Sequence, residues 1–447
     1  MTTDYYVDPA GSATEPYDTW AKAAATVADV LAGTVDPVVG GDRIFVINTY
    51  DNGGTSAKTW AGISNTVDTP VLVISTSDTA NEPPLTYARG ATERVSSGAG
   101  DVTVSGTNPG FVVAGFDWIS ADEIFLTATA MFIKFIDCKQ EINGTSSADE
   151  INITTANCTV IYEDCEFEFG QAGQGFNIDD GCRLCLMGCN LSATGTAIDE
   201  IISTLSSRGA FIEMLANDFS NGASGFSLLT APASAGSGGN TSKIEVWNNK
   251  LPATSAVLDG TPPGDMEVRA FNNGPDDVPN ILFKNGRGTV EHDTAVYLDA
   301  TYDGTNGYSL KMTASVDTQP GVFELRYPIA ELYLASANPT IGVEIITGAS
   351  NTIDDQKFWL EVEYPDATDT LLSKISRTRN SNYGLGTAGT VGSSAVTWTG
   401  EGTLTGETKY AESITISGGA AGKHVVYACY APGAAETIYV DPAVNIT

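Results

Sequence analysis

Phe135-Ile136-Asp137-Cys138 is the first of six similar strand endings whose spacing decides the fold. It is followed by Tyr162-Glu163-Asp164-Cys165, Leu186-Met187-Gly188-Cys189, Leu215-Ala216-Asn217, Trp247-Asn248-Asn249 and Phe271-Asn272-Asn273. Anchored on the final Cys or Asn, the intervals are 27, 24, 28, 32 and 24 residues. Phe116-Asp117 begins the series one step earlier. A period in the twenties with strand-turn-strand content is the signature of a solenoid, in which each coil buries its apolar face against its neighbours. Asn tolerates the left-handed geometry of a tight corner and bonds neighbouring backbone, and a small Cys fits the same slot. We therefore expect Cys138, Cys165, Cys189, Asn217, Asn249 and Asn273 to form a structural ladder, each one coil above the last.

A second echo precedes some of these strands: Ala121-Asp122-Glu123-Ile124, Ala148-Asp149-Glu150-Ile151 and Ile198-Asp199-Glu200-Ile201. Upstream, Tyr5-Tyr6-Val7-Asp8-Pro9 reads as a strand ending in a turn. Asp18-Thr19 then reads as a helix cap, with Trp20, Ala24, Val27 and Leu31 forming one apolar stripe that Gly33 closes. Gly40-Gly41-Asp42-Arg43-Ile44-Phe45-Val46 turns into a buried strand. From about Ala295 the texture changes to strands about 10–15 residues apart with Gly, Asn and Pro between them, the pattern of an antiparallel sandwich. The expected fold is all-β: an N-terminal strand and capping helix (1–40), a right-handed parallel β-helix (41–290) and a jelly-roll-like β-sandwich (295–447).

The 447 residues carry 22 basic and 55 acidic side chains, a net charge of -33. Such a chain repels nucleic acid and anionic lipid, so neither is an expected partner. No apolar run reaches the ~18 residues that a bilayer span needs. The opening Met1-Thr2-Thr3-Asp4-Tyr5 lacks a basic, then apolar, leader, so no secretory signal is expected and synthesis in a cytoplasm is. Seven cysteines, an odd number in a reducing compartment, argue against a disulfide framework. Cys182-x-x-Cys185-x-x-x-Cys189 has neither a second pair nor histidines to complete a zinc site, since the two histidines are His292 and His424. We expect these cysteines to be buried small hydrophobes, and we assign no metal and no cofactor.

Three carboxylate pairs are candidates for general acid/base work or calcium ligation: Glu163-Asp164, Asp179-Asp180 and Asp199-Glu200. Neighbours on a strand point to opposite faces, so a working pair would have to come from stacked coils, such as Asp164 with Asp180. Among 55 acidic residues such coincidences arise by chance, and no catalytic residue is assigned. No phosphate loop, nucleophile elbow or H-E-x-x-H is present. Trp398 and Tyr383 are the candidate carbohydrate-binding residues, because exposed aromatics stack on sugar rings. Trp359, inside an apolar run, is expected in the sandwich core.

The order of cap, solenoid and sandwich, with the N-terminal strand, helix and G-D-x-I-x-V opening, resembles phage tailspikes, head fibres and capsid decoration proteins with pectate-lyase-like β-helices. That resemblance implies a virion location, a homotrimer, and contact with the major capsid protein or another virion protein. A tailspike normally carries a particle-binding domain ahead of its solenoid, whereas here the β-helix opening starts near Asp4. The expectation is therefore a structural protein on the capsid exterior or in a short head fibre, aiding attachment to host or environmental glycans. The alternatives are a polysaccharide depolymerase and a non-catalytic carbohydrate-binding adhesin. Carboxylates on neighbouring coils beside exposed aromatics would favour the enzyme.

Overall fold

The computed structural model describes residues 2–447 except 54–55, 64–65, 90–93, 99, 206–208, 231–241, 260–265, 275–279, 287–292, 300–308, 315–324, 337, 349–351, 355–357, 366–371, 378–402, 406–408, 417–418 and 431–435. The chain divides into two compact units, residues 1–261 with 270–278, and residues 262–269 with 279–447.

The first unit is a parallel β-helix with three sheets. Its first sheet stacks Asp4–Val7, Arg43–Ile47, Val71–Thr76, Gly110–Ala114, Phe132–Ile136, Thr159–Glu163, Arg183–Met187, Phe211–Leu215 and Ser242–Trp247 in unbroken parallel register. The second sheet runs from Asp51–Asn52 to Asn190–Leu191 and continues as single bridges through Asp218, Lys250 and Gly274. The third sheet runs from Lys58–Ala61 through Ile124–Leu126, Ile151–Ile153, Phe176–Ile178 and Glu200–Leu205 to Ala256–Asp259. One coil visits the three in that order.

The corner between the first and second sheets explains the repeat. The residue before each anchor has a positive φ: Asp137 (50°), Asp164 (52°), Gly188 (66°), Ala216 (54°), Asn248 (57°) and Asn272 (52°). One left-handed residue turns the strand, and the next side chain points inward. Cys138, Cys165, Cys189, Asn217, Asn249 and Asn273 are all buried there. Asn249 Nδ2 donates to the Met214 carbonyl of the coil below (3.1 Å), and its Oδ1 accepts from the Asn217 N–H (3.1 Å). Asn273 repeats this toward Val246 O (3.0 Å) and the Asn249 N–H (3.1 Å), and Asn217 toward Leu186 O (3.0 Å) and the Cys189 N–H (2.8 Å). In the cysteine portion a sulfur does the same work. The Phe116 and Cys138 N–H groups point at Cys138 Sγ (3.5 Å) and Cys165 Sγ (3.4 Å). Burial raises the Cys138 thiol well above its ordinary pKa and raises Cys165 as well. The thiolate is the nucleophile, so iodoacetamide should leave both unmodified in the native protein and label both after denaturation, as read by peptide mass.

Inside the solenoid an aromatic stack links coils, reaching across one coil between Trp60 and Trp118 and joining successive coils from Trp118 onward. Trp60 meets Trp118 (4.8 Å between rings), Trp118 meets Phe135 (5.3 Å), and Phe135 lies flat on Tyr162 (4.9 Å, 11°).

The expected capping helix is broken. Trp20–Lys22 is a single 3₁₀ turn, and the α-helix covers Val27–Leu31 alone, started by a capping box between Thr26 and Asp29. The interruption is at Ala24, whose N–H donates to Tyr6 O while its carbonyl accepts from the Asp8 N–H, a bridge onto the first strand. Edge pairing with Val7 therefore overrides the helical stripe.

In the second unit, Asn280–Gly286 and Asp293–Asp299 form an antiparallel hairpin, so antiparallel pairing begins inside the span expected for the solenoid. Asp293–Asp299 pairs onward with Ser309–Ala314, and most strands beyond the hairpin fall into two antiparallel sheets, the first joined at Thr340–Thr347 by Asn445–Ile446 as well. Ser309–Ala314, Thr437–Val440, Thr340–Thr347 and Lys409–Thr415 pair in that order, as do Leu325–Leu334, Gly422–Tyr430, Phe358–Pro365 and Leu372–Arg377. From Ser309–Ala314 to Thr437–Val440 the chain passes from one antiparallel sheet to the other at each step except the hairpin of Phe358–Pro365 with Leu372–Arg377. Met312, Val343, Ile414 and Ile438 of one sheet pack with Phe358, Leu360, Val362 and Val426 of the other. Trp359 departs from expectation. It is buried, but it packs with Cys429 and Tyr427 on the opposite side of its sheet from Phe358 and Leu360, because both faces of this strand are apolar or covered.

Candidate functional site

The D-E-I echo becomes a row on the outer face of the third sheet. Ile124, Ile151 and Phe176 point inward in register, so the residues on either side point out. Glu123 and Glu150 therefore stand on successive coils. The next coil has Gly175 at this place, where a Cβ would meet the Ile201 carbonyl oxygen at 2.9 Å. The strand above crowds this place, with the Glu200 carbonyl oxygen and Ser203 Cβ also within 3.4 Å, so glycine is the residue that fits.

Donors and acceptors lie between and beside these acids, as one three-residue chain and two separate pairs. Asn152 Nδ2 donates to Glu123 Oε1 (2.9 Å), and Asn177 Nδ2 donates to Asn152 Oδ1 (2.9 Å). Ser203 Oγ donates to Glu150 Oε1 (2.6 Å), and Thr230 Oγ1 donates to Glu200 Oε2. Phe125 flanks Asn152 in register. Burial pushes the Glu123 carboxyl up, with Asp101, Asp149 and Glu150 adding to the shift. Burial likewise raises Glu200, helped by Asp199, Asp259 and Glu150 and opposed by Thr230. Both acids hold their protons more tightly in the fold than in the unfolded chain. Their contribution to stability is therefore present at low pH and is lost as pH rises through the shifted range. Carboxylates, amides and hydroxyls spaced by coils suit a hydroxyl-rich ligand that can both donate and accept.

Other candidates do not converge. Thr159 pairs with Arg183 and Glu163 with Met187, so Asp164 and Asp180 stand at opposite ends of the first-sheet strands, roughly 17 Å apart at ~3.3 Å per residue. They form no pair. Cys182 points inward to the Thr155 carbonyl, Cys185 lies outward between Arg183 and Glu213, and Cys189 is in the corner ladder near the Tyr162 carbonyl. Trp398 and Tyr383 lie outside the described residues. His424 is buried, with Nδ1 3.0 Å from the Gly422 carbonyl oxygen, and burial lowers its pKa. Sequence reasoning missed Asn152, Asn177, Ser203 and Thr230. The available signal was the alternation around Ile151 and Phe176, which places Asn152 and Asn177 on the outer face once the coils are aligned.

No protein-family model and no curated protein matches the chain. Among solved structures, it is similar to the enzymatically active domain of tailspike protein 4 of bacteriophage CBA120, at 9% identity over 91% of this chain and 64% of that one, with a TM-score of 0.20. It is also similar to tailspike gp49 of Acinetobacter baumannii bacteriophage Fri1, a capsular polysaccharide depolymerase, at 12% identity over 90% and 82% of the two chains (TM-score 0.24). A third is Pantoea stewartii WceF, a glycan biofilm modifying enzyme with a tailspike-like parallel β-helix, at 10% identity over 91% and 54% (TM-score 0.20). The chain thus spans less than two thirds of the first and third of these proteins. Each is described as a tailspike or as tailspike-like, and the parallel β-helix seen here rests on the strand register itself.

Proposed function

We propose that the chain is a structural surface protein of a phage virion, on the capsid exterior or in a short fibre. In this reading it assembles as a homotrimer and holds host or environmental glycan along the outer face of its third sheet. The observation that carries the glycan part is the row from Glu123 to Thr230, in which carboxylates are bonded by amides and hydroxyls of other coils. At a net charge of -33, uronate-rich polymers are repelled, so the fitting ligand is a neutral or amino-sugar polysaccharide. Binding to a panel of surface polysaccharides should favour that class, and Asn152→Ala/Asn177→Ala should weaken it about tenfold, since two lost hydrogen bonds cost ~1.4 kcal/mol or more. Equal binding by the double variant would remove the row from the reading. Imaging of intact particles reads the location, with density on the capsid rather than at the tail tip as the expected result.

One observation favours a second reading, hydrolysis of the same glycan. Glu150 and Glu200 are two coils apart on this face, with Ser203 bonded to Glu150 between them, roughly 10 Å at the usual strand spacing. That lies near the ~6.5–9.5 Å separation of inverting glycosidases, and burial raises the Glu200 carboxyl. Under the structural reading, bound polysaccharide releases no new reducing ends. Sustained release that Glu200→Gln abolishes would replace that reading with the hydrolytic one.

A further inference from the structure

The turns that bring the chain from the third sheet back to the first place two cysteines one above the other. Thr159 pairs with Arg183, so Cys158 and Cys182, one residue earlier, stand at matching places on successive coils. Each follows a residue of positive φ, Asn157 (64°) and Gly181 (71°), which bends the chain and sends the next side chain inward. These two turn residues are themselves stacked, since a Cβ on Gly181 would lie 3.7 Å from the Asn157 nitrogen. Neighbouring coils are ~4.8 Å apart, within the ~4.4–6.8 Å that separates the Cα atoms of disulfide-bonded cysteines. The sulfurs also meet, for the Cys182 thiol donates a hydrogen bond to the Cys158 sulfur.

This pair differs from the cysteines of the corner ladder. There the sulfurs are acceptors, with the Phe116 N–H pointing at Cys138 Sγ and the Cys138 N–H at Cys165 Sγ, so a bond between them would disturb the backbone. Cys158 Sγ instead lies 3.0 Å from the Ala128 carbonyl oxygen and Cys182 Sγ 3.2 Å from that of Thr155, as thiol donors. Thiol-to-carbonyl bonds are weak, and losing both protons costs little. Reactivity divides the same way. The bond from Cys182 holds the Cys158 thiol below its ordinary pKa against the effect of burial, whereas burial raises Cys138, Cys165 and Cys185. The thiolate is the attacking form, so Cys158 is the nucleophile of the pair. Both thiols are buried, but only one residue deep: Ala156, Asn157, Gly181 and Arg183 around them are exposed. A local opening of this turn admits a small reagent.

We propose that Cys158 and Cys182 form a redox pair that closes into a cross-coil disulfide when the protein meets a low-molecular-weight disulfide. The Cys158 thiolate attacks one sulfur of that reagent, forming a mixed disulfide and expelling the other half as a thiolate. Cys182 then gives up its proton and attacks the Cys158 sulfur, expelling the second half. Two protein thiols are oxidised to one disulfide, and one small disulfide is reduced to two thiols. The bond ties residues 24 positions apart, one full turn of the solenoid. That turn contains Thr159–Glu163, Glu166–Phe169 and Phe176–Ile178, one strand of each sheet. Closing it restricts the unfolded chain and holds the coil bearing Asn177 to the next. A reducing compartment keeps the pair open while the chain folds, and an oxidising one locks the coil afterwards. The inference depends on neither the virion nor the glycan reading.

Oxidised glutathione, applied to the native full chain at mildly alkaline pH, tests it. Remaining thiols are then blocked with N-ethylmaleimide in denaturant, and the chain is cut with trypsin and a glutamate-specific protease. Cys158 then lies in fragment 151–163 and Cys182 in fragment 169–183, each without another cysteine. The expected result is these two fragments joined, two hydrogens lighter than their sum and separated by dithiothreitol. The oxidised protein should also unfold at a higher urea midpoint than the reduced one, and Cys158→Ser should lose both the link and that shift. If Cys158→Ser does not fold, the wild type alone decides, because the link and its reversal are read on it. Two unlinked fragments, a glutathione adduct that stays on Cys158, or a link among Cys138, Cys165 and Cys189 instead would each overturn the inference.

Discussion

Replacing Asn249 with leucine should lower the stability of the solenoid by about 4 kcal/mol, although leucine is apolar, similar in size and placed in a buried slot. The side chain serves three coils. Its Oδ1 accepts from the Asn217 N–H and from Asn217 Nδ2 (2.8 Å), and its Nδ2 donates to Met214 O and to Asn273 Oδ1 (2.8 Å). Leucine satisfies none of these. A buried donor or acceptor left without a partner costs ~1–3 kcal/mol, more than the net gain of making the bond. Water cannot replace it, since Asn217 and Asn273 are themselves buried. Asn143→Ala, on an exposed loop residue, should move stability by less than ~0.5 kcal/mol. Denaturant unfolding followed by circular dichroism measures both. A leucine variant as stable as wild type would mean that the amide ladder orders the corner without supporting it. Because coils interact chiefly with neighbours, the transition should also broaden as the weak coil opens before the rest.

Phe135→Ala should cost about as much by a different route, ~3–5 kcal/mol. The ring is sandwiched between Trp118 on one side and Tyr162 on the other, all fully buried. Removing it opens a void that neighbouring coils cannot close, because the backbone spacing is fixed by hydrogen bonds on both sides. Phe135→Leu refills most of that volume and should cost roughly half as much. An alanine variant losing under 1 kcal/mol would show that the stack relaxes.

The corner column was legible in the sequence because two constraints act on adjacent residues. One must take a positive φ, and the next must be small or an amide, so Asp-Cys, Gly-Cys and Asn-Asn recur whatever the loops do. The N-terminal helix was misread because Trp20, Ala24, Val27 and Leu31 satisfy a helical period, while the bridge from Ala24 to Val7 depends on a strand edge that local sequence does not show. The Asp164/Asp180 pairing failed for a similar reason: nearness in sequence hides that a whole strand separates the two corners.

The two faces of the first sheet were not separable in the sequence for a physical reason. Phe132–Ile136 and Thr159–Glu163 carry apolar residues on both faces, so the period-two signal that separates inside from outside is lost. Trp359 was misplaced by the same ambiguity, since Phe358–Leu360 is apolar throughout. The third-sheet row was half legible. The D-E-I echo marked the acids, but the partnering amides and hydroxyls have no motif of their own and emerge only when coils are aligned.

The left-handed corner has one more consequence. It acts as a newel post: each flight of the staircase is fixed to it at one point, and the outer treads can be cut to any length. That is how coils of 24 and 32 residues share one pitch. Lengthening should therefore be tolerated on the sides away from the post, and a single residue added between Leu215 and Asn217 should break the climb for every flight above it.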